Sequence, residues 1–310
     1  MGLKFFDLFA GIGGFRLGME RAGHTCVGSC EWDIHARETY KKNFGSYPEY
    51  DDAKDLHPQS LPSFDVLCAG FPCQAFSIAG KRLGFEDTRG TVFFEIARIA
   101  KEKRPSYLLL ENVRGLLSHD KGRTFATIVS TLDALGYDAE WQVLNSKFFV
   151  PQNRERVFIV GHLRGERTRQ IFPLGDFDSE TNQSEPKEKV GVVNDKGNLR
   201  EVEQATCLDA NYWKGCDNHA QRTMIYLSNT NANMKQRIQE RKETWTLGTG
   251  TDFGIKDGMR IRKLTPVECE RLQGFPDGWT IGSDTQRYKQ CGNAVTVHVV
   301  EYIARELRLG

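Results

Sequence analysis

An excess of positive charge is missing from this 310-residue chain, in which 42 lysines and arginines face 41 aspartates and glutamates for a formal net charge of +1. That balance argues against a general polyanion binder, so any nucleic-acid face has to come from local clustering. The candidate clusters are Arg164, Arg167 and Arg169; Lys235, Arg237, Arg241 and Lys242; and Arg260, Arg262 and Lys263, although such groups are also ordinary solvated faces. Long apolar runs are missing too, and no basic-then-apolar leader precedes the strand-like stretch Leu3 to Phe9. The expectation is a soluble, cytoplasmic protein with no membrane partner. Among eight cysteines there is no C-x-x-C pair, and Cys26, Cys30 and Cys68 fall in strand-like settings that suit reduced, buried thiols. Cys207, Cys216 and His219 form the one metal-like cluster, but they lack a fourth ligand and a regular spacing, so no metal is expected. Repeats, low-complexity stretches and fibre-like composition are likewise absent, and the length admits two domains with a sizeable core.

What the chain does have, from Leu3 to about Gly161, is an alternation of apolar, strand-length runs with amphipathic helical stretches. This βαβα rhythm implies an α/β fold with a parallel sheet covered on both faces. Strands are expected at Leu3–Phe9, Thr25–Cys30, Asp65–Ala69, Tyr107–Leu110, Ala139–Leu144 and Arg156–Gly161. Helices are expected at Phe15–Ala22, Ile34–Asn43, Thr91–Lys103 and Arg123–Leu135, with Gly23, Gly45 and Gly136 as stops. After Gly165 the pattern decays into polar, Gly- and Asn-rich sequence that reads as irregular and strand-rich. Regularity returns where Thr265 can cap a helix opening at Pro266, and again from Val297 to Leu307.

Three places carry chemistry. The run Ala69-Gly70-Phe71-Pro72-Cys73-Gln74-Ala75-Phe76-Ser77 puts a cysteine at a proline-stiffened bend after an apolar strand, where a side chain reaches the carboxyl edge of the sheet. Leu108-Leu109-Leu110-Glu111-Asn112-Val113 repeats the geometry with a carboxylate, so a thiol and an acid are expected to face one pocket. Taken alone, a cysteine such as Cys73 is more often a small buried hydrophobe than a catalyst. Next, Phe9-Ala10-Gly11-Ile12-Gly13-Gly14 follows a strand and opens a helix, a turn that lets backbone approach a ligand closely. A dinucleotide fingerprint wants a small residue at position 16, which here is Arg16, and a purely structural tight turn is the alternative. About twenty residues on, Glu31 can take a ribose diol and Trp32 can stack on adenine or fill core. Finally, Arg154 and Arg156 lie two apart on a strand, so both guanidinium groups can reach one cleft and favour a thiolate there.

In order along the chain, the glycine turn, the Cys73 run, Glu111-Asn112-Val113, Gln152-Asn153-Arg154-Glu155-Arg156 and Gly292-Asn293-Ala294-Val295 resemble the motif set of the DNA cytosine-5 methyltransferases of bacterial or phage restriction-modification systems. The resemblance runs from about Leu3 to Ile303 and leaves mostly Arg164 to Arg262 outside it. It implies an S-adenosylmethionine-dependent methyltransferase (Rossmann-like) fold, a doubly wound sheet whose catalytic domain is discontinuous, with residues 1–178 plus 286–310 forming that domain. A smaller, irregular, strand-rich target-recognition domain would span 179–285. The cofactor contacts implied are Phe9, Gly11, Gly13, Gly14, Glu31, Trp32, Asp52, Ala53, Pro72, Val92, Asn293 and Val295. One extra residue between Gly45 and Asp65 leaves Asp51 and Asp55 as alternatives to Asp52. The expected cofactor is S-adenosyl-L-methionine, with S-adenosyl-L-homocysteine as product.

Carbon 5 of cytosine is too poor a nucleophile to attack a methyl sulfonium unaided. The resemblance therefore implies attack by Cys73 on carbon 6 with proton donation from Glu111 to ring nitrogen 3, supported by Arg154 and Arg156. Carbons 5 and 6 must be approached from opposite ring faces, so the base has to leave the duplex. Ser77 to Thr91, with Gly80, Gly84, Gly90 and the pair Lys81-Arg82, reads as a mobile loop closing over DNA. Two stretches resemble the family's threonine-leucine recognition element, Ala205 to Gly215 and Trp245 to Gly250, and Thr246-Leu247 is preferred by its distance from Arg262. The expected partner is double-stranded DNA, engaged by a monomer, with a cognate restriction endonuclease as a genetic rather than physical partner. The competing readings are an RNA methyltransferase from another branch of the family, a catalytically silent DNA-binding module, and an NAD-dependent oxidoreductase. Intact Cys73, Glu111 and Arg156 disfavour the silent module, and Arg16 disfavours the oxidoreductase.

Overall fold

The computed structural model describes residues 2–72, 92–174 and 260–309 and, between them, strand segments at 190–193, 199–202, 205–206 and 222–227. The first part runs β1 (Lys4–Leu8), α1 (Gly14–Arg21), β2 (Thr25–Cys30), α2 (Ile34–Phe44), β3 (Val66–Gly70), α3 (Val92–Lys103), β4 (Tyr107–Val113), α4 (Arg123–Ala134), β5 (Tyr137–Asn145), β6 (Gln152–Asn153) and β7 (Glu155–Leu163). Every expected strand and helix of this part is present, with ends shifted by a few residues at most.

The central strands are apolar on both faces because both faces are covered. Phe6, Leu8, Leu67, Ala69, Leu108 and Leu110 enter one core with Phe93, Ile96 and Ile128 from α3 and α4. The alternate residues Phe5, Val66, Cys68, Tyr107 and Leu109 enter a second core with Met19 of α1 and Val299, Val300 and Ile303 near the C-terminus. The strand order is β2-β1-β3-β4-β7-β5. The first four are mutually parallel, but β7 pairs antiparallel with both β4 and β5. The expectation of an all-parallel sheet is corrected here. A parallel crossover needs a dozen or more residues, and the return from Asn145 to Glu155 is shorter than that.

From Leu163 the chain runs back along β5. Glu140 accepts hydrogen bonds from the amides of Ile171 (2.6 Å) and Phe172 (3.0 Å), and Gln142 accepts one from Leu174 (3.0 Å). A second, antiparallel sheet follows, in the order β12-β11-β8-β9, formed by β8 (Val190–Val193), β9 (Leu199–Val202), β11 (Arg222–Leu227) and β12 (Arg260–Lys263). The two-residue strand β10 (Ala205–Thr206) pairs in parallel with β6.

Three helices close the chain: α5 (Pro266–Leu272), α6 (Asp284–Asn293) and α7 (Val297–Ala304). Thr265 and Glu268 form a capping box at α5, with Pro266 in the first turn as expected. Helix α6 escaped the sequence reading because half its buried face is polar or glycine: Gln290 and Gly292 lie there beside Tyr288 and Cys291, and Gln290 accepts a 2.7 Å bond from Thr39 of α2. Residues 264–285 pack against the first part of the chain. Leu264 is buried and its carbonyl accepts from the Tyr288 hydroxyl (2.6 Å), Trp279 donates to the carbonyl of Ile12 (2.9 Å), and the Ile281 amide donates to Thr39 (3.2 Å). Among the described residues no helix is long and apolar enough to cross a membrane, and no cluster of three metal-ligating side chains occurs.

Candidate active site

The carboxyl ends of β1, β2, β3 and β4 open into one cleft of about 700 Å³, closed on the far side by α6 and the residues after it. This is the edge at which open α/β sheets bind ligands.

At the end of β1 the chain turns sharply. Phe9, Gly11 and Gly13 all adopt positive φ, at 63°, 55° and 85°. Gly13 is the N-cap of α1 and has no side chain to cap it, so Asp7 does that work from β1: its Oδ2 accepts from the amide of Arg16 (3.2 Å). Asp7 is wholly buried, its Oδ1 has no partner among the described residues, and burial pushes its carboxyl up to about 8. The amide of Gly11 donates to Glu31 Oε2 (2.7 Å) and that of Asp33 to Oε1 (2.7 Å). Burial raises the Glu31 carboxyl while these amides pull it down, and the net direction is up. A carboxylate has about four acceptor positions, so one remains beyond the amides of Gly11, Asp33 and Trp32. Trp32 is 77% exposed at the cleft, which excludes it from the core and leaves a face free for stacking. Asp52 caps the short 3₁₀ turn Ala53–Asp55 through the Lys54 amide (3.0 Å). Asp51 and Asp52 both line the cleft, and Asp55 does not.

Phe9, Gly11, Gly14, Glu31, Trp32, Asp52, Ala53, Pro72, Val92, Asn293 and Val295 thus all line one cavity, whereas Gly13 turns the chain behind it. The same cavity holds Glu111, Arg154 and Arg156. Glu111 stands near the end of β4 with Oε1 3.0 Å from Nε of Arg156, and both side chains are largely buried. Desolvation raises the Glu111 carboxyl; Arg156 and then Arg154 oppose the rise without cancelling it. Arg154 sits at the break between β6 and β7 and is 2% exposed. Its Nη2 donates to the carbonyls of Gly292 (3.3 Å) and Ala294 (2.9 Å), tying the arginine segment to the one that includes Asn293 and Val295. Both guanidinium groups therefore reach the cleft, one toward a carboxylate and the other toward main-chain carbonyls.

Asn112 donates from Nδ2 to the carbonyl of Phe71 (2.7 Å), and the Phe71 amide donates to the carbonyl of Glu111 (3.3 Å). The Phe71-Pro72 bend is thereby pinned to the end of β4. Cys73, the next residue, lies outside the described residues, as do Ser77, Lys81, Arg82, Thr246, Leu247 and the trio Cys207, Cys216 and His219. Of the basic clusters, Arg164 pairs with Asp133 and Asp138 and Arg169 with Glu306 on an exposed face, the solvated alternative raised above. Sequence reasoning missed the wall made by Gln286, Lys289 and Gln290. Lys289 meets the α2 N-cap Asp33 at 2.9 Å. The signal was the spacing of Gln286, Gln290 and Asn293 on one helical face.

A family model described as C-5 cytosine-specific DNA methylase matches residues 3–308. The chain belongs to this family and is a DNA (cytosine-5-)-methyltransferase by class. It is similar to the Type II methyltransferases M.DsaV of Dactylococcopsis salina, 40% identical over 98% of this chain and 86% of that protein, and M.HhaI of Haemophilus parahaemolyticus, 37% identical over 98% and 93%. Among solved structures, Dnmt2 of S. pombe superposes with a TM-score of 0.65 at 18% identity, covering 97% of this chain and 96% of that one, a likeness of fold.

Proposed function

We propose that this enzyme moves a methyl group from S-adenosyl-L-methionine to carbon 5 of a cytosine flipped out of double-stranded DNA, through a covalent adduct with Cys73. The observation that carries the reading is the meeting of two halves in one cleft: the Glu31, Trp32 and glycine-turn wall, and the Glu111–Arg156 pair.

The cleft fits the cofactor. Its volume lies inside the usual range of roughly 300–1,000 Å³ for small-ligand sites. An exposed indole beside a carboxylate suits adenine and a ribose diol, and the acidic rim of Glu31, Asp33, Asp51 and Asp52 suits a sulfonium cation. Glu31, Trp32, Asp52, Ala53, Phe9, Pro72, Val92, Asn293 and Val295 would hold it, and when bound it supplies an electrophilic methyl group. On the base side, the Cys73 thiolate forms a bond to carbon 6 while Glu111 gives its proton to nitrogen 3, so carbon 5 gains the electron density needed to take the methyl. Burial of Glu111 keeps the donating form available at higher pH than for an ordinary carboxylic acid. A base then takes the carbon 5 proton, the carbon–sulfur bond breaks by elimination, and nitrogen 3 returns its proton to Glu111. Arg156 orients the Glu111 carboxyl, and Arg154 holds the arginine segment against Gly292 and Ala294.

Ser77, Lys81 and Arg82, in the stretch from Ser77 to Thr91, and Thr246 and Leu247, in the target-recognition unit of residues 179–285, are assigned to DNA contact. Trp279 and Ile281 of that unit bond to Ile12 and Thr39 of the catalytic domain. The enzyme would act as a cytoplasmic monomer that protects host DNA from a partner restriction endonuclease. The test is transfer of tritiated methyl from S-adenosylmethionine to unmodified DNA and, in parallel, to bulk transfer RNA, followed by identification of the labelled base. Label in 5-methylcytosine from DNA is expected, and label confined to RNA would refute the substrate. Cys73→Ala should abolish transfer while retaining cofactor binding, and turnover in that variant would sink the covalent route.

A further inference from the structure

Arg37 belongs to no motif, yet it joins two walls of the cofactor cleft. It lies one turn inside α2, and its side chain is 14% exposed. Nη1 donates to the carbonyls of Glu31 (2.8 Å) and Tyr50 (3.0 Å) and meets the carboxylate of Asp51, while Nη2 reaches the carbonyl of Pro48 (3.5 Å). Glu31 leads into Trp32 on one wall, and Tyr50 leads into Asp51, Asp52 and Ala53 on the other. The walls also meet through backbone bonds at Tyr50, whose carbonyl accepts from Glu31 (3.1 Å) and whose amide donates to Ser29 (3.2 Å), and through Glu49, whose Oε2 accepts from the Ser29 amide (2.8 Å) and hydroxyl (2.9 Å).

We propose that Arg37 is a positioning residue for cofactor binding, fixing the spacing between the Glu31 wall and the Asp51–Asp52 wall and offsetting the carboxylates gathered at that rim. The inference rests on the reading of this cleft as the S-adenosylmethionine site. Nη1 meets acceptors on both segments while Nη2 adds Pro48, a spread that an ammonium group, a point charge on a flexible stem, matches only in part. Removing the guanidinium takes the donor from the carbonyls of Glu31 and Pro48 and releases Asp51. No hydrogen bond or ion pair of Arg37 reaches Glu111, Arg154 or Arg156, so the effect falls on cofactor affinity and not on the chemical step.

The experiment uses the full chain. S-adenosylhomocysteine binding is measured by calorimetry, and KM for S-adenosylmethionine and kcat are measured at saturating DNA, with thermal unfolding of the unliganded protein recorded alongside. Arg37→Met should weaken Kd and raise KM about tenfold or more with kcat within about twofold. Arg37→Lys should recover part of the loss, ending about threefold weaker than the parent protein. If Arg37→Met does not fold, the lysine variant decides, and parent-like affinity in it overturns the proposal. Unchanged Kd in a folded Arg37→Met also overturns it, as does a fall in kcat with KM unmoved. Glu31→Gln run in the same assay separates the two levels. If it too leaves Kd unchanged, the cofactor reading of this wall fails and takes the proposal with it; if it alone weakens binding, only the role of Arg37 is lost.

Discussion

Gly11 and Gly13 share a left-handed backbone but not the same room, and this separates two costs that are usually confounded. A methyl group built on Gly11 meets nothing within 4 Å, whereas on Gly13 it would stand 2.2 Å from Cε2 and 2.7 Å from Cζ of Phe44. Phe44 has little freedom to retreat. Its ring packs on Tyr40 (4.5 Å) and Trp279 (5.6 Å), and the guanidinium of Arg16 lies 4.2 Å from its centroid. Gly11→Ala should therefore cost only the backbone term, about 1–2 kcal/mol. Gly13→Ala should add an overpacking term of about 1–3 kcal/mol, for a total of roughly 2–5 kcal/mol. Urea unfolding of the unliganded protein, followed by tryptophan fluorescence, measures both. A Phe44→Ala partner isolates the steric part, because opening that space should cancel it and give a favourable coupling of about 1–3 kcal/mol in the double-mutant cycle. If the two alanine variants agree within about 0.5 kcal/mol, or if the cycle shows no coupling, the clash is not what fixes this turn.

Glu111→Gln should lower kcat by about a hundredfold or more while cofactor binding persists, read by single-turnover transfer beside calorimetry. In the parent enzyme the neutral, donating carboxyl is lost as pH rises through its raised value, so kcat should fall on the alkaline side, and a flat alkaline profile would remove Glu111 as the donor. Asp7 holds a proton in the folded protein that the unfolded chain releases. Its contribution to stability is fully present below about 4 and is lost as pH rises toward about 8. Asp7→Asn keeps an acceptor for the Arg16 amide and should flatten that part of the stability profile, and an unchanged slope in pH-dependent unfolding would show that Asp7 is ionised in the native state.

The strands were legible because burial on both faces writes them as unbroken apolar runs, as in Val66 to Ala69 and Tyr107 to Leu110. The cleft was legible for a related reason, since Glu31 and Glu111 stand at the ends of such runs and so arrive at one edge. The direction of β7 was not legible from its composition, because a strand buried on both faces carries the same residues whichever way it runs. Helix α6 was hidden by Gln290, a polar residue buried against Thr39, which breaks the apolar period. Arg37 was invisible because its partners are mostly main-chain carbonyls, which leave no mark on residue identity. The role of Cys73 was read from a proline-stiffened bend after an apolar run together with motif order, and those of the DNA-contact residues from loop composition and spacing.

Leu174 is held by Gln142 on the rim of β5, and Leu264 by the Tyr288 hydroxyl, and both are buried. Between these moorings the span is tied back at the β10–β6 pair, and the closure cost of a connection grows only by about 0.6 kcal/mol for each doubling of its length. Changes of length in the connections outside the paired strands β8 to β12 are therefore thermodynamically cheap for the rest of the fold. The central strands, buried on both faces, admit no such change of length.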